Sequence, residues 1–174
     1  MGAPAAVRTD RETIARSDDH RALRIWLRLL TCTQMIERVV RSRLRERFST
    51  TLPRFDLMAQ LERHPEGLRM NELSRLLMVT GGNVTGLTDE LEKEGYVTRE
   101  SDPADRRSFI VKLTREGRRS FERIAAEHEQ WVIELFAGWS AAERTQVHEL
   151  LAKLKAHLGS AESAGVGRRV KERK

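Results

Sequence analysis

The sequence predicts a mainly α-helical protein with one small β-hairpin. Three observations support this fold class. Long stretches near both ends carry apolar residues at three- and four-residue spacing, two short helical patterns meet at a break at Val79-Thr80-Gly81, and a strand-like alternation ends at Leu113. We therefore expect long amphipathic helices on either side of a compact middle region.

The bulk composition suits one small domain. The chain has 174 residues, of which 39% are hydrophobic and 33% charged, with a formal net charge of +6. A positive surplus favours polyanionic partners through counterion release, although many basic proteins bind no polyanion.

The compartment is predicted from what the chain lacks. Cys32 is the only cysteine, so no disulfide framework is expected and a reducing compartment is favoured. No apolar run approaches the roughly 20 residues of a membrane span, and the N-terminus has no apolar core of the signal-peptide kind. We expect a cytoplasmic, nucleoid-associated protein without a membrane partner.

The first predicted helix covers residues 20–48. Leu23, Trp26, Leu27 and Leu30 form one apolar stripe, whereas the opposite face is rich in arginine. A single helix of this length cannot bury its stripe alone, so it needs other helices or a second subunit.

Three shorter helices follow, over residues 54–63, 70–77 and 81–94. Pro53 ends the first pattern, because proline cannot continue a helix and disfavours helix in the residue before it. The hydroxyl of Thr80 is expected to cap the third helix, and Gly95 to end it in the left-handed conformation.

The hairpin is predicted from strands at residues 97–100 and 108–113, joined by a loop over residues 101–107. Phe109, Val111 and Leu113 alternate with more polar residues and predict one apolar face. Two short helices followed by such a hairpin are typical of a winged helix-turn-helix, whose second helix enters a DNA major groove.

Two long helices are predicted after the hairpin. Thr114 begins one that runs to about Gly138, and Ser140 with Glu143 forms a capping box for another that runs to about Leu158. The predicted regions are a disordered arm (1–18), a helical dimerisation region (19–50 and 115–158), the winged helix-turn-helix (51–114) and a flexible basic tail (159–174).

Several motifs resemble those of the MarR family of bacterial transcription regulators. They are Leu73-Ser-Arg-Leu-Leu, Asn83-Val84-Thr85, Leu91-Glu-Lys-Glu-Gly95-Tyr-Val97, Asp102-Pro-Ala-Asp105-Arg106-Arg107 and Leu113-Thr114-Arg-Glu-Gly117. The resemblance covers residues 20–158 and implies a homodimer whose affinity for a palindromic operator, most often as a repressor, is changed by a small ligand.

A finer resemblance concerns the ligand. The segments 23–33, 51–56 and 78–83 look like a branch that senses hydroxycinnamoyl-CoA or related aromatic CoA thioesters. This implies an aromatic acid or its thioester as effector.

The predicted DNA-binding residues lie at the start of the third short helix, on the hairpin and among flanking arginines. Short polar side chains suit base edges, glycines let backbone approach phosphates, and arginine suits a narrow minor groove. The family match implies that Asp105 orients Arg107. The family often has arginine where Gly86 and Glu90 stand here, so this helix offers little positive charge. The full set is Arg69, Arg75, Thr80, Gly81, Gly82, Asn83, Thr85, Gly86, Arg99, Asp105, Arg106 and Arg107.

The predicted ligand-binding residues combine an aromatic wall with one arginine, which suits an aromatic acid or a phosphate-bearing thioester. The same apolar residues at helical spacing are also typical of plain core. The set is Trp26, Leu30, Thr33, Arg54, Phe55 and Met58.

Other chemistry is not indicated. Cys32 lies within a helix between two threonines and is interpreted as structural rather than redox-active. The five histidines show no metal spacing and no nucleophile motif or phosphate loop appears, so no metal, cofactor or catalytic residue is predicted. The alternatives left open are an effector-independent architectural DNA-binding protein and a winged-helix module that binds other proteins.

Overall fold

The computed structural model describes residues 20–102 and 105–171, with the side chains of 106, 107 and 161–171 left undescribed. The elements are α1 (Arg21–Phe48), α2 (Leu52–Arg63), β1 (Leu68–Arg69), α3 (Met70–Leu77), α4 (Gly81–Lys93), β2 (Val97–Asp102), β3 (Asp105–Leu113), α5 (Arg115–Leu135) and α6 (Ala141–Lys171). The mainly α fold class with a small sheet is confirmed. The predicted arm at residues 1–18 lies outside the described residues.

The sheet has three strands in the order β1-β3-β2, all antiparallel. Strand β1 was not predicted, because its two residues are too few to show an alternation. Leu68 and Arg69 pair with Val111 and Ile110. Gly67 makes this possible at φ +90°, where a Cβ atom would lie 2.5 Å from the Ile110 side chain.

The hairpin strands are longer than predicted. Ser101 and Asp102 belong to β2, and β3 already begins at Asp105, so the predicted loop over residues 101–107 was wrong. Backbone pairing continues through these polar residues because the ladder needs only main-chain donors and acceptors, with an irregularity between Ser101 and Asp102. The apolar face is also incomplete: Val111 is fully buried, but Phe109 is 46% exposed.

The helix boundaries agree closely with prediction at α1, α3 and α4 and less well elsewhere. Helix α2 begins at Leu52 rather than Arg54, because proline in the first turn removes only an amide that has no helical partner. Helix α5 ends at Leu135, three residues before the predicted Gly138.

The last helix, α6, is longer than expected. It continues to Lys171 instead of stopping near Leu158, so the linker and tail predicted over residues 159–174 are largely helical. Alanine, glutamate, lysine and arginine in this segment favour helix, and it contains no proline.

The caps were predicted with mixed success. Gly95 has φ +78°, the Thr114 hydroxyl accepts the Gly117 amide at 2.9 Å, and Ser140 and Glu143 form their capping box. The Thr80 hydroxyl, however, makes no capping hydrogen bond. The first turn of α4 is exposed, so solvent can take its free amides.

The core of the winged region lies between α2, α3, α4 and the sheet. Leu57, Leu73, Val84, Leu91 and Val111 are all fully buried there. The periodic apolar residues of α3 and α4 therefore hold α4 against the sheet and leave its other face outward.

The chain divides into two compact units, Met1–Glu129 and Gln130–Lys174. In the first unit, Val40 and Leu44 of α1 are buried, whereas Leu23 and Trp26 near its start are exposed. In the second unit, Leu150, Leu151 and Leu154 of α6 are exposed. Both units thus carry apolar surface that the single chain leaves uncovered. None of the described helices has a stretch long and apolar enough to cross a membrane.

Candidate nucleic-acid interface and polar cavity

The N-terminal turn of α4 is an exposed surface of small residues. Side chains added at Gly81, Gly82 or Gly86 would meet nothing within 4 Å. Asn83 is exposed beside them, whereas Val84 is fully buried and anchors the turn. A nucleic-acid backbone could therefore approach the free amides of this turn closely.

Thr80 and Thr85 lie on the same surface. The Thr85 hydroxyl donates to the Gly81 carbonyl oxygen at 3.1 Å, which leaves its oxygen able to accept a further hydrogen bond. The buried Thr88 hydroxyl donates to the Val84 carbonyl at 2.7 Å. Sequence reasoning assigned Thr88 no role, because only its burial separates it from Thr85.

Arg99, predicted to contact DNA, is held by the acidic residues of α4. Its guanidinium forms ion pairs with Asp89 and, at 3.3 Å, with Glu92. Its side chain is only 22% exposed. Two carboxylates of the acidic face of α4 are thus paired with one arginine from β2.

Arg69 is also engaged within the chain. Its Nε lies 2.5 Å from Oδ2 of Asp102, which is almost fully buried, and its amide donates to Glu72 at 2.8 Å. The hydrogen bond that Arg69 donates to Asp102 raises the pKa of Arg69 above its ordinary value. Asp102 thus connects β1 to the hairpin through this ion pair, a role for which the sequence shows no signal.

Arg75, another predicted DNA-binding residue, lies on α3 and is exposed.

The hairpin tip brings the remaining predicted residues together. Asp102 and Asp105 are register partners, and Arg106 and Arg107 are the next residues of β3. Asp105 is exposed. The side chains of Arg106 and Arg107 lie outside the described part, so the predicted contact between Asp105 and Arg107 stays a prediction.

A small polar cavity of about 50 Å³ lies in the first unit. Arg54 and Met58 from the predicted ligand set both line it. The other lining residues are Phe48, Ser49, Thr50, Glu94, Tyr96, Ser120, Arg123 and Ile124.

The rest of the predicted ligand set lies elsewhere. Trp26 is 58% exposed, Leu30 is half-buried and Thr33 exposed on α1. Phe55 is buried in a ring cluster, 5.4 Å from Phe121 between centroids. The structure therefore brings Arg54 and Met58 into one cavity and leaves these four outside its lining.

His128 packs against the aromatic cluster of Phe55 and Phe121, and its lowered pKa leads us to expect that stability depends on pH. Its ring lies 4.9 Å from that of Phe55, and burial lowers its pKa below the usual 6.5. As pH falls through about 6.5 the unfolded chain takes up this proton first, so stability declines until the lower folded pKa is passed. We expect the melting temperature of His128→Gln to fall less between pH 7 and pH 5 than that of the wild type. Parallel curves would contradict this.

Other chemistry finds no support among the described residues. They contain no group of three or more histidine, cysteine, aspartate or glutamate residues that could hold a metal ion. Cys32 is exposed on α1, not buried as the interpretation of it as a structural residue implies.

Comparison with known proteins gives matches to transcriptional regulators. A MarR family model matches residues 48–108. The uncharacterized HTH-type transcriptional regulator YkoM of Bacillus subtilis is 40% identical over 84 residues, 48% of this chain and 54% of YkoM. The match thus spans about half the length of that relative.

Two further matches cover more of both chains. The transcriptional activatory protein BadR of Rhodopseudomonas palustris is 32% identical over 127 residues, 72% of this chain and 71% of BadR. The crystal structure of a MarR family transcriptional regulator from Silicibacter pomeroyi has a TM-score of 0.70 and 31% identity, over 82% of this chain and 99% of that one.

Proposed function

Because this chain belongs to the MarR family of winged-helix transcriptional regulators, which bind DNA and are not enzymes, we propose that it is a homodimeric, ligand-responsive repressor. It would hold a palindromic operator in the cytoplasm, on the nucleoid, until a small aromatic acid or its CoA thioester releases it. Double-stranded DNA, a second copy and the effector are the proposed partners.

The exposed first turn of α4 carries the DNA-binding part of the proposal. Gly81, Gly82 and Asn83 form an open surface at a helix N-terminus, where free amides and the helix dipole attract phosphate. Asn83 and Thr85 would then read base edges, while Arg106 and Arg107 reach the minor groove. Since Arg99 and Arg69 are paired with carboxylates, we assign them to holding the hairpin.

The uncovered apolar surfaces support the proposed dimer. Exposed Leu23, Ile25 and Trp26 on α1 need a partner, and burial of such side chains contributes about 1.5–3 kcal/mol each. Residues 19–50 and 115–158 remain our proposed dimerisation region. Two-fold symmetry would place the α4 helices of the two copies in major grooves about 34 Å apart.

The small cavity beside Arg54 is the proposed effector site, and it would have to widen from its volume of about 50 Å³ to admit an aromatic ring. Release requires only that the effector bind the conformation without DNA more tightly, and a tenfold effect corresponds to about 1.4 kcal/mol. Phe48, Met58 and Ile124 offer apolar walls, and Arg54 offers a positive charge.

Selection of duplexes from a random pool, followed by salt titration, tests the function. We expect a palindromic site and a dissociation constant that rises about 1,000-fold or more between 50 and 200 mM salt, as for six to ten phosphate contacts. Binding to every duplex without sequence preference would favour the architectural alternative. Failure to bind any duplex would favour the protein-interaction module.

Asn83→Ala tests the assignment of base reading to α4. We expect loss of about 1–3 kcal/mol of discrimination at one base pair of each half-site, the usual value of one base contact. Asn71→Ala, at another exposed asparagine on α3, is the control and should keep the base preference. If Asn83→Ala kept the base preference of the wild type at every position of the half-site, the assignment would be wrong.

A further inference from the structure

We propose that the ring of Phe109 packs against a deoxyribose of the DNA strand that passes between α4 and the hairpin, which adds an apolar contact to operator binding. The inference deepens the proposed function and rests on it, because it takes α4 to lie in the major groove and the end of the hairpin in the minor groove. It names the sugar edge of the backbone, and not a base, as the group that the ring meets.

Phe109 is exposed at the point where its strand leaves the core. Val111, two residues further along β3, is fully buried, whereas Phe109 is 46% exposed. Alternate residues of a strand lie on the same face, so these two side chains share one face of the hairpin. The register partner of Phe109 is Ser101, which is itself exposed and too small to cover a phenyl ring. The packed face of the hairpin therefore ends in an uncovered aromatic side chain.

This face of the hairpin is turned toward α4. Arg99 is the register partner of Val111, and its guanidinium forms an ion pair with Asp89 of α4. The opposite face is charged, since Lys112 donates a hydrogen bond to Glu100 across the strands at 2.8 Å. The exposed ring lies on the face turned toward α4, two residue pairs nearer the end of the hairpin.

An irregularity of the strand ladder lies directly beside the ring. One step along β2, from Ser101 to Asp102, corresponds to four steps along β3, from Phe109 to Asp105. The additional residues of β3, 106–108, include both arginines proposed for the minor groove. Bulges bend a strand, increase its twist and re-aim side chains, and they are frequent at functional sites. The irregularity therefore separates the residues proposed to enter the groove from the ring that follows them in β3.

In the proposed complex a DNA strand crosses this face. One backbone strand separates the major groove, proposed to hold α4, from the adjacent minor groove, proposed to hold the end of the hairpin. Deoxyribose presents C–H groups between its phosphates, and an aromatic ring gains free energy by burying its exposed area against them. Arginine side chains bind the phosphates of the same strand. The ring would thus fix the position of the duplex without reading its sequence.

Phe109→Thr tests the contact through its salt dependence. Threonine suits an exposed strand position, so the variant should fold, and its melting temperature checks this. We expect its dissociation constant for the selected duplex to rise about tenfold at both 50 and 200 mM salt, because an apolar contact releases no counterions. Phe109→Tyr keeps the face of the ring and is the matched control, which should bind within about twofold of the wild type.

Modified duplexes identify the sugar as the group that is contacted. At each position of the half-site, one nucleotide would be replaced either by a tetrahydrofuran abasic unit, which keeps the sugar ring, or by a three-carbon linker, which removes it. We expect one position at which the linker weakens wild-type binding about fivefold more than the abasic unit does, because only the linker lacks the sugar. Phe109→Thr should bind the two duplexes equally at that position.

The outcomes distinguish the inference from the proposed function. Wild-type affinity in Phe109→Thr, or a loss of affinity that disappears at high salt, would overturn the inference even where the wild type binds its operator normally. Equal effects of the linker and the abasic unit at every position would also overturn it, and this comparison on the wild type decides the matter if Phe109→Thr proves unstable. Failure of the wild type to bind any duplex would instead overturn the proposed function, and the inference with it.

Discussion

Arg107→Ala should weaken operator binding by about tenfold or more while the chain stays folded. Arg107 is the third residue of β3, at the end of the hairpin that we propose to enter the narrow, strongly negative minor groove. Two nearby arginines, Arg69 and Arg99, are paired with carboxylates, so the hairpin depends more heavily on Arg106 and Arg107. Tenfold corresponds to about 1.4 kcal/mol, the lower end of a charged hydrogen bond.

The salt dependence makes this result specific. Loss of one arginine whose charge neutralises DNA phosphates from within the groove should reduce the steepness of log K against log salt by about 0.9. Arg63→Ala, at an exposed arginine at the end of α2, provides a control for lost net charge and should keep the wild-type slope. An unchanged gel-shift midpoint and slope for Arg107→Ala would refute the assignment.

Gly117→Ala should destabilise the fold by about 3 kcal/mol or more, the upper range for steric overpacking. A Cβ at this position would lie 1.9 Å from the Tyr96 carbonyl oxygen. That oxygen already accepts the Thr114 amide at 3.0 Å. Neither group can retreat without breaking the junction between α5 and the turn that ends α4.

Urea unfolding of the variants measures this effect. Gly86→Ala is the matched control, since a Cβ there meets nothing within 4 Å and alanine favours helix over glycine by about 1 kcal/mol. We expect a lower midpoint for Gly117→Ala and an equal or higher one for Gly86→Ala. A wild-type midpoint for Gly117→Ala would contradict the close approach.

The residues of the candidate DNA surface could be named from the sequence, but the partners that several of them have in the fold could not. The turn at residues 80–83 was found because glycine and threonine there break one helical period and begin another. Arg99 was taken as a free cation, because opposite charges ten residues away in the chain give no local sign that they meet. The ligand set failed to converge for a similar reason, since Trp26 and Phe55 have the same apolar pattern whether exposed or in the core.

What the sequence determined by itself was local: helical periodicity, the left-handed turn at Gly95, the caps at Thr114 and Ser140, and motifs that place the chain in its family. These depend on residues within a few positions of each other, so they can be read directly. Only the tertiary structure decided which carboxylate each arginine meets. Arg69 pairs with Asp102 33 residues away and Arg54 with Glu94 40 residues away. Such pairings arise when packing of the apolar core brings distant segments together, and no short pattern records them.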